Sequence, residues 1–410
     1  MLACSPALEV KAEPQDCSAD ARLAYVEDIM LDAYLWADHV EPVDRLGYSD
    51  PAELMADLRY DALDRWSYVR DLSEATDWFD EGAYVGGGYS LRSDAAGDLR
   101  FALVYPDNPA HDAGLRRGDR LLRINGFAVE DLSTNDAWND AYGPVEDGAV
   151  VVLGVERPDG DTFDAHMVLG EVTVPTVYRS RVFEDGDRTV LYFMLTSFVE
   201  PAHEALDALF DDPAVADVDT VVVDLRYNGG GLIAVARHLA ALVARDHAGE
   251  VFMTYWHNAA HAHENTATYL EDYAWGRSVD HVVFLTSGST GSASEMLMFS
   301  LEPYVPVTRV GGRTSGKPVG MNFFEACDLF VSPVTFQTGN RDVQATYFDG
   351  LEPDCAAEDN LLVELGADDD PMLVAGLQQL AGAECPDATA RLPVSMEPSG
   401  SADALRGGLR

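Results

Sequence analysis

Basic residues are scarce in this chain of 410 residues, since 27 Lys and Arg stand against 71 Asp and Glu, a formal net charge of -44. A surface of that sign repels phosphate groups and anionic lipid headgroups. The acidic residues are spread along the chain instead of forming one run, which is typical of a solvated surface. The composition therefore excludes a nucleic-acid-binding protein and a protein held at a membrane by charge.

Long apolar runs are also absent from the sequence. A membrane-spanning helix needs roughly 18 to 20 apolar residues in succession, whereas the longest runs here are of strand length, such as residues 281–286. Hydrophobic residues still make up 47% of the chain and aromatic residues 10%. We therefore expect a folded protein of two or three domains without a membrane-spanning helix.

Cysteine is scarce too, with five residues at positions 4, 17, 327, 355 and 385. That number is compatible with one or two disulfides in an exported protein, and Cys355 with Cys385 is the favoured pair. Cys4 follows small and apolar residues and precedes an acidic segment, a pattern similar to the end of a bacterial lipoprotein signal. A lipid anchor at Cys4 is therefore an expectation, and an accidental likeness is the alternative.

Lysine is the scarcest charged residue, because Lys11 and Lys317 are the only two and the other 25 basic residues are arginines. A lysine amine can lose its proton near neutral pH when its surroundings disfavour charge, whereas a guanidinium cannot. Lys11 lies in the acidic N-terminal segment, which leaves Lys317 as the candidate base. Chance survival of one lysine in an arginine-rich composition is the alternative.

The residue pattern divides the chain into five segments and predicts a multidomain α+β protein. Residues 1–18 are acidic and are expected to form a linker or tether. Residues 19–80 carry apolar positions at helical spacing and predict an N-terminal helical domain. Residues 81–172 predict a β-rich module of short strands. Residues 173–385 alternate strands and helices and predict an α/β core, and residues 386–410 are expected to be disordered.

The elements of the predicted core follow from apolar runs and helical periodicity. The predicted strands cover residues 189–195, 219–225 and 281–286, and the predicted helices cover residues 201–210, 231–245, 292–302 and 371–381.

One strand of this core leads through a loop of small residues to Ser292 at the start of a predicted helix. Unpaired amides at a helix N-terminus stabilise negative charge that develops nearby, so Ser292 is a candidate nucleophile. The motif Ser292-Ala293-Ser294-Glu295 also fits a capping box, in which the serine only terminates the helix and Glu295 returns a hydrogen bond. That alternative stays open on this motif alone.

Two glycine-rich turns accompany the serine. Gly316 and Lys317 stand in one of them, after an apolar strand, and a run of three glycines at 229–231 follows the strand at 219–225. Phosphate binding is not favoured there, because no Gly-Lys-Ser/Thr follows the glycines and the dinucleotide spacing is absent. The amides of Gly229 or Gly230, with that of Ala293, are therefore predicted to form an oxyanion pocket.

The order of these motifs resembles peptidase family S41, the carboxyl-terminal processing proteases. The motifs that carry the likeness are Asp224-Leu225-Arg226-Tyr227-Asn228, Gly291-Ser292-Ala293-Ser294-Glu295 and Gly316-Lys317. The resemblance covers residues 20–385 and implies an α/β core of crotonase-like or ClpP-like fold. It implies Ser292 as nucleophile, Lys317 as base, an acyl-enzyme, and no cofactor or metal. It further implies an exported enzyme of the bacterial periplasm or cell envelope that acts on unfolded or C-terminally recognised polypeptides.

The chain departs from many S41 relatives after the lysine, where Met321 stands in place of a glutamine. A thioether forms no strong hydrogen bond with an amine. The orienting residue is therefore left open between Glu295, Asn322 and none.

Histidine offers an alternative base, as in the tricorn-like branch of the family, but none of the chain's candidates lies in a matching motif; these are His203, His238, His257, His261 and His263. The spacing of the last three also suggests metal ligands, although no Glu-x-x-His pattern or cysteine pair accompanies them. A polar loop is the favoured interpretation.

Two segments of the β-rich module resemble a PDZ domain. The first is the glycine loop Tyr84-Val85-Gly86-Gly87-Gly88-Tyr89, and the second, residues 109–126, is similar to the PDZ helix and the strand after it. Glycine lets a backbone approach a ligand closely, and an open strand edge accepts an extended peptide. The resemblance implies binding of polypeptide C-termini. A PDZ fold that binds no peptide, a non-catalytic PDZ adaptor and a hydrolase of small esters or amides are the alternatives.

Overall fold

A computed structural model describes Leu8, Pro14 and residues 16–385 of the chain. Cys4, most of the expected linker and the expected disordered tail at 386–410 lie outside the described residues. Within the described part of the chain, no helix combines the length and the apolar character needed to cross a membrane.

The described residues form nine α-helices, α1 to α9, and one π-helical segment at Asp77–Glu81. The α-helices are, in order, Ala19–Asp32, Pro51–Leu58, Leu72–Thr76, Pro109–Asp112, Asn135–Tyr142, Ala202–Asp211, Ile233–Val243, Ala293–Leu301 and Pro371–Leu380. The four helices predicted after residue 200 are confirmed as α6 to α9, each within two residues of its predicted ends. Three of them belong to the core, whereas α9 belongs to the compact unit that also contains Gly82–Arg179.

The described residues also form 21 β-strands, β1 to β21. In order they are Tyr68–Asp71, Ala83–Gly86, Tyr89–Ser93, Leu99–Val104, Arg120–Ile124, Phe127–Ala128, Val150–Glu156, Thr162–Val168, Gly170–Thr173, Val177–Asp185, Arg188–Leu195, Thr220–Asp224, Val251–His257, Thr266–Tyr269, His281–Thr286, Val307–Gly311, Val319–Met321, Phe324–Ala326, Leu329–Ser332, Val334–Gly339 and Cys355–Ala356. The three strands predicted for the core are confirmed as β11, β12 and β15.

The chain folds into two compact units. The first, here the core unit, comprises the described residues up to Glu81 together with Ser180–Asp354. The second, here the inserted unit, comprises Gly82–Arg179 and the described residues from Cys355 onward. The N-terminal helices thus belong to the same compact unit as the α/β core.

Four parallel strands form the centre of the core unit, in the order β11, β12, β15, β16. Every residue of β12 is buried, as are the last five residues of β15. Strands that helices cover on both faces carry continuous apolar runs of this kind. Because the carboxyl ends of parallel strands meet at one edge of the sheet, the loops after β12 and β15 lie side by side there, and the Leu225 amide donates to the Leu285 carbonyl at 2.9 Å.

The N-terminal helices cover the part of the core unit that carries Lys317. Helix α1 begins at the N-cap Ser18, whose hydroxyl accepts a hydrogen bond from the Ala21 amide. The buried faces of α1 and α2 share one hydrophobic cluster with residues of β17, β19 and β20, namely Val319, Met321, Val331 and Val334. Strand β1 pairs antiparallel with β19. The hydrophobic faces of these helices are therefore buried against the core's own strands.

The inserted unit is built on an antiparallel sheet in the order β3, β4, β5, β7, β8, with β6 beside β5 and a separate β2–β9 pair. Residues of α4 and α5, among them Ala110, Trp138 and Tyr142, pack into one hydrophobic cluster with this sheet. The glycine loop runs from the end of β2 into β3, and Gly88 has a φ of 74°. The helix and the strand expected within residues 109–126 are present as α4 and β5.

The structure contains two disulfides among the described residues. Cys17 pairs with Cys327 in the core unit, with Cα atoms 5.7 Å apart. The favoured pair, Cys355 and Cys385, forms the second, with Cα atoms 5.5 Å apart. The first bond ties the start of α1 to the turn between β18 and β19.

We expect reduction of the purified oxidised chain to add the mass of four hydrogens, because two disulfides are present. Peptide mapping before and after reduction assigns each bond. The double variant Cys17→Ser/Cys327→Ser is expected to lower the free energy of unfolding by about 2 to 4 kcal/mol, since that bond closes a long loop. An unchanged mass on reduction would show that neither bond forms.

Candidate active site

A cavity of about 130 Å³ lies in the core unit beside the start of α8. Its lining residues are Tyr68, Phe79, Gly229, Gly231, Ile233, Ser292, Met296, Lys317, Gly320, Met321 and Phe323. Ser292 and Lys317, the predicted nucleophile and base, therefore face the same space although they belong to different loops. Most of the other lining residues are apolar.

Ser292 adopts an unusual backbone conformation, with φ 53° and ψ -119° at the N-cap of α8. Sparsely populated backbone conformations of this kind cost about 1 to 3 kcal/mol and cluster at active sites. The strand, sharp turn and helix around it have the arrangement of a nucleophile elbow. Nothing in the sequence indicated this conformation, since a serine at that position also suits an ordinary cap.

Gly230 allows the glycine turn to approach the nucleophile closely. A Cβ atom at this position would lie 2.8 Å from Ser292 Cβ and 2.9 Å from the Ala293 nitrogen. The Gly230 amide donates to Asn228 Oδ1 at 2.8 Å and is thus used inside the loop. Gly229 lines the cavity, and the Ala293 amide belongs to the first turn of α8, where amides have no acceptor within the helix. Of the predicted oxyanion donors, the geometry favours Gly229 and Ala293 over Gly230.

Asn228 holds these loops together, a role that the sequence analysis did not assign. Its Nδ2 donates to the Leu195 carbonyl at 2.8 Å. Its own carbonyl accepts from the Gly291 amide at 3.2 Å and from the Ser294 hydroxyl at 3.0 Å. Asn228 therefore connects the end of β11, the glycine turn and the nucleophile loop. Its place directly before three glycines was the available signal.

Glu295 connects the nucleophile to the lysine loop. Its Oε2 accepts from the amides of Ser292 at 2.9 Å and Lys317 at 2.8 Å. Its Oε1 accepts from the Gly316 amide at 2.7 Å and from the Thr314 hydroxyl. Burial raises the pKa of the Glu295 carboxyl, and these hydrogen bonds oppose that rise. The hydrogen bond expected of a capping box is thus present, and the same carboxylate positions the backbone of both candidate catalytic residues.

Lys317 is half-buried, and burial of its amine lowers the pKa of Lys317 to about 8, while the charges of Asp64 and Glu295 act in the opposite direction. Met321 Sδ lies 3.5 Å from Lys317 Nζ and also accepts from the Ser332 hydroxyl at 3.3 Å. A thioether is a weak, uncharged acceptor, so Met321 contacts the amine without favouring its ammonium form.

Asn322, the other possible orienting residue, contacts Thr335. The Asn322 side-chain Oδ1 accepts from the Thr335 hydroxyl at 2.7 Å, and the Asn322 backbone amide donates to the same hydroxyl at 2.9 Å. These bonds hold the turn after β17.

Among the described residues, the cavity lining includes no histidine. His261 contacts Glu264 at 3.0 Å and Asp32 at 3.3 Å, and His257 contacts the Thr335 carbonyl. Within the part of the chain that the structure covers, no group of three or more His, Cys, Asp or Glu side chains is arranged to hold a metal ion. The contacts of His257 and His261 hold the loop after β13 in place.

Family models match two parts of the chain. The model of peptidase family S41 matches residues 189–357, and that of the peptidase S41 N-terminal domain matches residues 24–68. The first match contains the glycine turn, Ser292 and Lys317. The chain belongs to peptidase family S41.

Curated relatives include the carboxyl-terminal-processing protease of Picosynechococcus sp., 26% identical over 284 residues, which are 68% of this chain and 65% of the relative. The chloroplastic carboxyl-terminal-processing peptidase 1 of Arabidopsis thaliana is 28% identical over 66% of this chain and 55% of its own length. This chain thus spans less than two thirds of each relative. A crystal structure assigned to the S41 proteases, from Bacteroides fragilis, shares the fold with a TM-score of 0.69, at 20% identity, over 87% of this chain and 97% of that one.

Proposed function

We propose that this chain is a serine endopeptidase in which Ser292 is the nucleophile and Lys317 is the general base. The observation that carries the proposal is that a lysine with a pKa lowered by burial shares an apolar cavity with a serine at a helix start. The neutral amine of Lys317 takes the hydroxyl proton, and Ser292 Oγ attacks the peptide carbonyl carbon. The amides of Gly229 and Ala293 bind the oxyanion. As the C–N bond breaks, Lys317 gives this proton to the nitrogen of the departing amine, and water, activated by the neutral Lys317, then hydrolyses the acyl-enzyme.

The proposed substrates are polypeptides that are unfolded or are presented by their C-terminus. The relatives are named for carboxyl-terminal processing, and the cavity of about 130 Å³ beside Ser292 has room for one side chain of a substrate. Ile233, Met296 and Phe323 make it suited to an apolar side chain next to the cleaved bond.

The inserted unit is proposed to bind polypeptide C-termini as a PDZ domain does. Its antiparallel sheet, α4 and α5, and a glycine loop between β2 and β3 support this role. Gly87 passes so close to the Tyr89 ring that a Cβ atom there would lie 2.5 Å from it, so the loop requires glycine. The two disulfides support export to an oxidising compartment such as the bacterial periplasm.

The test is incubation of the purified chain with an unfolded protein such as casein, at low and at high salt, beside a panel of small esters and amides. Ser292→Ala serves as the blank. Cleavage of casein by the parent alone supports the endopeptidase. Cleavage of the small compounds alone would favour an ester or amide hydrolase, and no cleavage under any condition would favour a non-catalytic adaptor. Peptides with free and amidated C-termini test recognition of the terminus in the same assay.

The rate of cleavage is expected to depend on the protonation of Lys317. Burial lowers the pKa of Lys317 to about 8, and only the neutral amine accepts a proton. The value of kcat/KM for a fluorogenic peptide should therefore be low at pH 6 and rise through an inflection near pH 8. An inflection near the ordinary pKa of histidine, about 6.5, would instead indicate a histidine base.

A further inference from the structure

We propose that Asp64, from the N-terminal region, is a positioning residue for Lys317, and that its carboxylate stabilises the ammonium formed when Lys317 takes the proton of Ser292. This inference rests on the proposed function of the Ser292/Lys317 pair. It assigns to the N-terminal region a part in the chemistry of the core.

Asp64 is a buried carboxylate, only 3% exposed, with a set of donors that replaces water. Its Oδ1 accepts from the amides of Trp66 at 2.8 Å and Ser67 at 3.0 Å. Its Oδ2 accepts from the hydroxyls of Ser67 at 2.6 Å and Tyr34 at 2.8 Å. Burial of a carboxylate is costly without such compensation. Four donors from two separate segments indicate that the fold holds this group in a fixed place.

The segment that contains Asp64 is attached directly to the lysine loop and its neighbours. The Arg65 guanidinium donates to the Ser315 carbonyl at 2.8 Å, two residues before Lys317. The Ser67 hydroxyl accepts from the Val334 amide at 2.9 Å, at the start of the strand that pairs with β17. The position of the Asp64 carboxylate is therefore coupled to the backbone on both sides of the lysine.

The charges of Asp64 and Glu295 both raise the pKa of Lys317 against the effect of burial, and Asp64 is the larger of these two causes. The oxygens of Glu295 are occupied by amides and a hydroxyl. Other titratable groups near Asp64 are the Tyr34 hydroxyl, which donates to it, and the Arg59 guanidinium, whose Nη1 donates to the Ser67 carbonyl.

The role follows from the charge that develops during attack. When the Ser292 O–H bond breaks and the proton joins Lys317 Nζ, the amine becomes a cation in an apolar cavity. A fixed negative charge nearby lowers the energy of that state. Asp64 thus acts on Lys317 through its charge and through the attachment of its segment to the lysine loop.

The sharpest test uses the fact that the chain has only two lysines. Lysine labelled with ¹³C at Cε gives two NMR signals, and Lys11→Arg assigns them. In a Ser292→Ala background, the Lys317 signal should titrate near pH 8. Asp64→Asn should move that midpoint to lower pH by about one unit, because the charge that favours the ammonium is gone. The Lys11 signal is the internal reference. This measurement requires no peptidase activity. It therefore tests the effect of Asp64 on Lys317 independently of the proposed function.

Matched variants separate charge from structure. Asp64→Glu keeps the charge, so the midpoint of the Lys317 titration should stay close to its value with aspartate at position 64. Asp119→Asn removes another buried carboxylate, paired with Arg157 in the inserted unit, and should leave the Lys317 midpoint unmoved. Tyr34→Phe removes a hydroxyl dipole that partly offsets the Asp64 charge, so the midpoint should rise; this variant keeps the proposal testable if Asp64→Asn does not fold.

In the active enzyme, Asp64→Asn should lower kcat about tenfold on the plateau above the inflection, where Lys317 is already neutral, with little change in KM, because Asp64 does not line the cavity. The inflection of the pH profile should move to lower pH together with the NMR midpoint. A midpoint that stays in place in both Asp64→Asn and Tyr34→Phe, or that rises in Asp64→Asn, would overturn the proposal. A loss of activity without any shift in the midpoint would also overturn it, since that is the behaviour of a merely structural residue.

Discussion

Replacement of Ser292 by alanine is expected to reduce kcat/KM for peptide cleavage by at least about 10⁴-fold, since loss of a nucleophile that works with a base removes the covalent route. The fold should survive, because alanine has the same Cβ atom as serine at the positive φ of this position. Cleavage of a fluorogenic peptide and thermal unfolding of the same preparation measure the two effects.

Ser289→Ala is the matched control for this variant. Ser289 lies in the loop that precedes Ser292, and it does not line the cavity. It should retain most of the parent's activity. If Ser292→Ala kept a tenth or more of the parental rate while Ser289→Ala lost it, the nucleophile would have been assigned to the wrong serine.

Replacement of Lys317 by arginine is expected to lower kcat by about 10³-fold, which is the usual contribution of a general base. Arginine keeps the positive charge but does not release its proton in a protein. The variant therefore separates the role of a base from the role of a cation. The measurement is kcat for the same peptide from pH 6 to pH 10, where the variant should also lose the inflection near pH 8.

Lys11→Arg is the natural comparison, because it changes the only other lysine of the chain. It should behave as the parent. Retention of full activity by Lys317→Arg would show that another group accepts the proton, and the histidines outside the cavity would need to be tested in turn.

Many strands and helices of the chain could be predicted from sequence, because burial and helical periodicity leave a pattern in neighbouring residues. Strands β12 and β15 are buried along nearly their whole length and so appear as unbroken apolar runs. Helices α6 to α9 follow from periodicity and lie within two residues of the expected ends. The convergence of Ser292 and Lys317 on one cavity accords with motif order, since loops after adjacent parallel strands meet at the same sheet edge.

Other features could not be predicted, because they depend on which surfaces pack together. Helical spacing in the N-terminal region indicated a buried face but not that β17 to β20 would cover it. The approach of Asp64 to the lysine loop and the bond between Cys17 and Cys327 join residues far apart in sequence. The sequence could not show which of the neighbouring Gly229 and Gly230 amides is used inside the loop. In the structure it is the Gly230 amide, which donates to Asn228.

The structure changes the interpretation of Met321, where the chain departs from the family pattern. In the sequence it marks the loss of a polar group that orients the amine. In the structure its sulfur contacts Lys317 Nζ at 3.5 Å, and the charges of Asp64 and Glu295 raise the pKa of that amine. In the proposed mechanism these charges take the place of a strong hydrogen bond from position 321.

The most direct test of the central claim is to capture the acyl-enzyme. An activated peptide ester makes acylation fast, so the acylated chain accumulates and can be trapped by rapid acid quenching. Intact mass and peptide mapping should then find one acyl group per chain, on Ser292, and none in Lys317→Arg quenched at the same time. Product formation without any acyl adduct, or an adduct on a residue other than Ser292, would contradict the Ser292/Lys317 mechanism.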